Sequence, residues 1–501
     1  MRIAVTIFSQ IIAVPIYLHY WSVETYGAWI LVQSIVSFLT IFDIAHHNYL
    51  GNEFMKLGKQ NRRDIAAVFS TGMLVALIVS IVSFMSICAL TLSGTLSQWV
   101  GINAATTQPF ETALLLTCAT WVLTITFTGL LGRVLNPFGY FPLSAWSGVL
   151  FAIVSTAASV MAVYFGAGLV AATLATCIVT FICHSTLAVI LFRIARQEEL
   201  LSTKFEMARG FSRFTASLAL GAQSGLEILR QQGVRFILLP LSGMAQMIAF
   251  STMRTGANLA LQGVGTITAP LMPELMAFLG SRDQPRTESA FSVIWLMLCV
   301  VLVPAVLVVQ YLAPALFPLW TQGKIEFDPV LFALLSLAVL VYALAQPAIA
   351  VVNGNNLIRE QFLISAIATV FTVGAIYLLV PLMGVRGAAV ALLAGETGTL
   401  FFYVHVAKKW LAGVAMQWPA SAYANASMSL VVACAGMGGI IIFQSHAGWC
   451  LLLALLGQVF ILISYWSQLP GIAREAATAQ AARFLPRLLR KRLHKTASNT
   501  G

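Results

Sequence analysis

The chain has 501 residues, of which 59% are hydrophobic and only 9% charged, and its mean hydropathy is +0.89. Soluble domains carry about 25% charged residues, so this composition excludes a water-soluble enzyme, a secreted disulfide scaffold, a disordered chain and a nucleic-acid module. The formal net charge of +11 must then be explained by where the basic residues fall along a membrane protein.

A bilayer is crossed by about 20 apolar residues in one helix. Apolar runs between charged or Pro/Gly/Asn punctuation predict seven spans near 3–19, 27–49, 66–92, 111–132, 143–165, 169–192 and 214–240. Seven more follow near 244–269, 289–313, 330–352, 362–381, 387–407, 423–443 and 447–467. The expected class is an all-α polytopic membrane protein of about 14 helices, because backbone amides in lipid must pair within their own segment. The first run is read as a helix rather than a leader: Arg2 alone precedes it, no small-x-small site comes before the aromatic stretch at 17–21, and a second span follows directly. The seven cysteines lie scattered within spans without metal-ligand spacing, Cys183 beside His184 included, so no metal is expected.

Alternating the connections sorts the charges. Arg2, the tail after Arg474, and every loop lysine or arginine except Lys324 and Arg386 fall on one side, while Arg230, Arg235 and Arg254 lie inside spans. The positive-inside rule makes that side cytoplasmic, with both termini there. The basic stretch 474–495 reads as a tail on an anionic leaflet.

The segment 384–391 (GVRGAAVA) is similar to 168–175 (GLVAATLA), an offset of 216 residues, and each opens the sixth helix of a half. This predicts two parallel six-helix bundles, 1–192 and 214–407, joined by a charged linker at 193–213 and followed by a helix pair at 408–470 and a basic cytoplasmic tail at 471–501. A site between the halves is expected.

Ionisable residues inside a span usually mark function. On the seventh helix Gln223, Glu227, Arg230, Gln231 and Arg235 share an arc of about 140°, and on the eighth Ser251, Arg254, Asn258 and Gln262 form a stripe about 80° wide. The second helix aligns Gln33, Ser37, Thr40, Asp43 and His47 within about 120°. Three arginines against one glutamate make a cationic wall suited to a phosphate group, which guanidinium binds through paired hydrogen bonds. Candidate substrate-binding residues are therefore Arg230, Arg235, Arg254, Asn258, Gln262 and Gln33. The alternative for Glu227 and Arg230 is a mere i, i+3 pair; for Arg235, snorkelling; for Asp43 and His47, capping or anchoring near the helix end. Asp43, Glu227 and Glu396 are the candidates for a coupling proton or Na⁺; no catalytic residue and no organic cofactor are expected.

Pro15, the stretch 21–29 (WSVETYGAW), Asp43 with Ile44 and Ala45, the segment 270–274 (PLMPE) and the 384–389 motif resemble the bacterial polysaccharide biosynthesis exporters, or O-antigen flippases. That family belongs to the superfamily that also holds multidrug and toxic compound extrusion proteins and the lipid II flippase. The likeness covers most of residues 1–410, and departs where His46 and His47 follow Ala45. It implies a bacterial inner-membrane flippase that moves a polyprenyl-pyrophosphate-linked oligosaccharide by alternating access. Its expected partners are that lipid-linked oligosaccharide, membrane lipids and polysaccharide assembly proteins. The alternatives are a multidrug or cation antiporter of the same superfamily, for which a cationic wall has the wrong sign, and a membrane-embedded polymerase or ligase, for which no catalytic loop is evident.

Overall fold

The computed structural model describes residues 2–100, 104–201, 207–268, 275, 278–279, 281–355, 357–472 and 474. Among these residues the chain is helical, without strands, and each predicted span is occupied by helix. The helices of the N-terminal part are α1 (Arg2–Tyr20), α2 (Val23–Leu39), α3 (Ile41–Leu57), α4 (Arg62–Leu92), a short α5 (Thr95–Val100), α6 (Ala104–Thr120), α7 (Thr126–Val134), α8 (Phe141–Tyr164), α9 (Leu169–Gln197), α10 (Met207–Ser242) and α11 (Met244–Thr268). There follow α12 (Gln284–Met297), α13 (Val303–Trp320), α14 (Pro329–Gly354), α15 (Ile358–Met383), α16 (Val385–Gly413), α17 (Ala420–Ile442) and α18 (Ala447–Gln468). The 270–274 motif and nearly all of the basic tail lie outside the described residues.

Ten helical segments are long and apolar enough to cross a membrane among the described residues, or eleven if α2 and α3 count as one bent span. Of the other predicted spans, α1 qualifies only as a shorter apolar helix, Ile7–Tyr20. Helices α10 and α11 fall short because they hold the intramembrane arginines and glutamines.

The second span departs from expectation. Rather than closing near Asp43, it bends by 44° around Thr40 and continues as α3 to Leu57. Side-chain hydroxyls explain the break: Ser37 Oγ donates to Gln33 O at 2.7 Å and Thr40 Oγ1 to Ser37 O at 3.2 Å, and such back-bonding bends helices. Asp43 therefore lies just past the bend, in the first turn of α3. Single π-helical turns interrupt two other spans, at Trp121–Ile125 between α6 and α7 and at Leu298–Leu302 between α12 and α13.

The chain divides into two compact units. The first comprises Met1–Thr255, Ala315–Leu331 and Ser365–Gly395; the second comprises Gly256–Pro314, Phe332–Ile364 and Glu396–Gly501. In the first unit the connections sort to two ends. At one, Trp21 Nε1 donates to Ala167 O (2.8 Å), Lys324 Nζ donates to Trp21 O (3.0 Å) and Arg386 pairs with Asp328 (2.6 Å). Beside them Tyr17 stacks on Trp21 with ring centroids 5.1 Å apart, and its hydroxyl bonds Ser159 at 2.6 Å. At the other end Arg62 pairs with Glu198 (3.1 Å) and lies over the Phe138 ring (5.6 Å). Helix α9, 29 residues or about 44 Å long, runs from the first end to the second. Lys324 and Arg386 thus share the end of the first unit opposite Arg62. An apolar core of Leu50, Phe54, Ile65, Leu130, Val134, Leu191 and their neighbours lies toward the Arg62 end.

The second unit is centred on Phe291, Trp295, Leu298 and Cys299. Trp295 Nε1 donates to Leu344 O at 3.0 Å, and the Tyr465 hydroxyl donates to Ser292 O at 2.8 Å. Helices α17 and α18 are joined through Gln458, which accepts from Ser429 Oγ (2.7 Å) and donates to Ser429 O (2.9 Å). The repeated segments open α9 and α16, which are equal in length at 29 residues each.

Candidate functional site

The three helices with polar stripes pack together in the first unit. Arg235 on α10 donates from Nη1 to Ser34 Oγ on α2 at 2.8 Å. Gly27 brings α2 against α11 so closely that a Cβ there would stand 2.8 Å from Met244 Sδ. Close approach of small residues is how membrane helices gain packing energy, since lipid offers no hydrophobic drive.

On this assembly the cations are in different states. Arg230 is only 2% exposed, and its Nη2 meets Glu227 Oε1 at 2.6 Å, while the Glu227 side chain remains 38% exposed. A buried guanidinium is thereby neutralised by a carboxylate that reaches an open surface. Half-buried Arg235 holds Ser34, and its Nε has no hydrogen-bond partner. Arg254 is half-buried on α11, and Gln33 is exposed on α2 next to Ser34. Thr369 Oγ1 on α15 donates to Leu226 O at 3.0 Å, which adds a fourth helix beside Glu227. Asn258 and Gln262 are half-buried farther along α11, in the second unit, and Glu396 is buried there in α16 at 8% exposure.

Asp43 forms a separate centre, 2% exposed. Its Oδ2 accepts from Trp121 Nε1 at 2.9 Å and from Thr126 Oγ1 at 3.2 Å; Thr126 also bonds Ser80 at 2.9 Å. His47 Nε2, one turn on, lies 3.2 Å from Oδ1. The π-turn at Trp121–Ile125 rotates the helix so that Trp121 and Thr126 both face the carboxylate, a distortion often found at functional positions. A void of about 20 Å³ adjoins Asp43, Ser80 and Trp121, space for about one water molecule. His46 is held by Ser217 (3.2 Å) and Gly72 O (3.3 Å).

Of the predicted residues, Arg230, Arg235, Arg254, Glu227 and Gln33 lie on the three packed helices of one unit, and Asp43 lies in that unit but in its own pocket. Sequence reasoning missed Trp121, Thr126, Arg133 and the pairing of Thr128 with His184 (2.7 Å). Threonines alternating at 124, 126 and 128, with Thr120 one turn before them, inside an apolar span were the available signal. Among the described residues no three His, Cys, Asp or Glu side chains are grouped to hold a metal ion.

No protein-family model matches the sequence, and no curated protein is significantly similar to it. Solved structures are similar in fold. A multidrug resistance MATE family transporter of the MOP superfamily, in its inward-facing conformation, aligns with TM-score 0.63 and 14% identity over 83% of this chain and 96% of its own. The lipid II flippase MurJ, in an inward closed conformation, aligns with TM-score 0.60 and 13% identity over 93% of this chain and 97% of its own. The MATE transporter's outward-facing conformation aligns with TM-score 0.54 and 16% identity over 83% and 96%. The fold is thus that of the MATE and MurJ transporters: an all-α polytopic membrane architecture.

Proposed function

We propose that the chain is a flippase of this superfamily that carries a polyprenyl-pyrophosphate-linked oligosaccharide, an O-antigen or exopolysaccharide unit, across the bacterial inner membrane by alternating access. The observation that carries the reading is the set of three arginines, Arg230, Arg235 and Arg254, on packed helices with Glu227 as the acidic residue among them. A diphosphate needs such cations, and in a low-dielectric site each guanidinium–phosphate contact is screened less than in water. The exposed amide of Gln33 suits a sugar hydroxyl, as would Asn258 and Gln262. The likeness to a flippase for a lipid-linked substrate extends over 93% of the chain, against 83% for the multidrug transporter. The resemblance of 21–29 and 384–389 to the exporter family points the same way.

Proton or Na⁺ exchange is the drive that suits this reading, with Asp43, Glu227 and Glu396 as the groups to titrate. Both termini would face the cytoplasm, and polysaccharide assembly proteins would receive the product. The test is surface polysaccharide in cells carrying Arg230→Ala with Arg254→Ala. Loss of surface polymer at normal membrane levels of the protein supports the reading, and unchanged polymer contradicts it. Restored resistance to organic cations instead would favour the multidrug reading, which the higher TM-score of 0.63 supports.

A further inference from the structure

Away from the arginine helices, the first unit encloses a cavity of about 630 Å³ between α7, α8 and α9, within the range of ligand pockets. It lies at the end of the unit that carries Arg62 and Glu198, since α7 ends at Val134 and the turn Asn136–Phe138 lies against Arg62. Its wall carries Arg133. Arg133 donates from Nη1 to Gly129 O (3.0 Å) and from Nη2 to Asn48 Oδ1 (2.7 Å), and forms no ion pair with a carboxylate among the described residues. Of the five N–H donors of a guanidinium this leaves three unused. Asn136 and Ser144 also line the cavity, their side-chain oxygens packed away from its space. Its outer wall is apolar and aromatic, with Phe141 and Trp146 exposed at the rim and Phe151 within, tilted against the His184 ring.

We propose that this cavity binds the headgroup of an anionic phospholipid from the leaflet on the basic side. The phosphate accepts from Arg133, and the acyl chains run out past Trp146 and Phe141 into the bilayer. Basic pockets between membrane helices on the cytoplasmic side bind acidic headgroups in this manner. The net negative charge of a phosphatidylglycerol headgroup pairs with Arg133, whereas in phosphatidylcholine the quaternary ammonium already balances the phosphate. Because Arg133 also bonds Asn48 on α3, an occupied pocket fastens the helix that carries Asp43 to the bundle of α7, α8 and α9. This site does not depend on which cargo the arginine helices carry.

Native mass spectrometry of the purified full chain, titrated with phosphatidylglycerol or phosphatidylcholine of identical acyl chains, tests it. The wild-type protein should retain phosphatidylglycerol about tenfold more tightly, a difference of about 1.4 kcal/mol. Arg133→Gln should abolish that preference while leaving phosphatidylcholine binding unchanged. A second variant guards against misfolding of the first: a Cβ at Gly148 meets nothing within 4 Å, so Gly148→Leu projects into the space beside Arg133 and should reduce the preference at an undiminished melting temperature. Equal binding of both lipids by the wild type, or an unaltered preference in Gly148→Leu, would overturn the proposal. So would displacement of phosphatidylglycerol by an equimolar prenyl diphosphate, which would make the cavity part of the cargo path.

Discussion

Arg235 and Ser34 are joined at 2.8 Å across the contact of α10 with α2, a hydrogen bond from a cation to a neutral hydroxyl in a half-buried setting. Hydrogen bonds to charged groups contribute about 1.5–3 kcal/mol. Ser34→Ala should lower the thermal unfolding midpoint by an amount corresponding to that range, and Ser34→Thr, which keeps the hydroxyl, should restore most of it.

The Glu227–Arg230 pair is asymmetric, since the arginine is buried and the glutamate is not. Removing one partner of a buried pair costs about 3–5 kcal/mol because the remaining charge stays desolvated. Glu227→Ala should therefore destabilise strongly. The double change of Glu227→Ala with Arg230→Met should recover part of the loss, since it also removes the buried guanidinium. Chemical denaturation in detergent measures both; a double variant less stable than Glu227→Ala would show that the pair is not the stabilising unit.

Asp43 is held by donors from another helix, so Trp121→Phe removes an N–H while keeping an aromatic ring. The expected cost is again about 1.5–3 kcal/mol, because the acceptor is a carboxyl group. If Asp43 serves ion coupling, Asp43→Asn should abolish gradient-driven transport while the protein still folds, and proteoliposomes with and without a proton or Na⁺ gradient separate the two effects.

Gly387, in the motif repeated at 216 residues, lies against backbone. A Cβ there would overlap Leu379 O and stand 2.9 Å from Val380 N. Backbone cannot move aside as a side-chain tip can, so Gly387→Ala should cost about 1–3 kcal/mol of stability. The corresponding position of the first half already carries Ala171, where Ala171→Gly should cost about 1 kcal/mol through helix propensity alone.

The helices were legible because hydrophobic runs of bilayer length admit little else, and the charge pattern set Lys324 and Arg386 apart from Arg62, at the opposite end of the first unit. Hydropathy could not show the bend at Thr40 or the π-turn at Trp121, since both arise from local hydrogen bonds rather than from the apolar pattern. It placed Asp43 near the cytoplasmic end of one unbroken span for that reason, where the structure has it in the first turn of α3, past the bend. Helical periodicity grouped Glu227, Arg230 and Arg235 on one face, as it can for neighbours on one helix. It could not pair Asp43 with Trp121, 78 residues away, or show that Arg133 lines a cavity between helices rather than marking a loop.

The central claim is that arginines on α10 and α11 hold a diphosphate during its passage between leaflets. The most direct measurement is leaflet transfer of a fluorescent prenyl-diphosphate-linked glycan in proteoliposomes made with the purified chain, read by a membrane-impermeant quencher. Transfer should exceed that of protein-free vesicles and fall about tenfold or more in Arg230→Ala with Arg254→Ala, equivalent to at least about 1.4 kcal/mol of lost interaction. A glycan that stays in its original leaflet while organic cations cross would contradict the account.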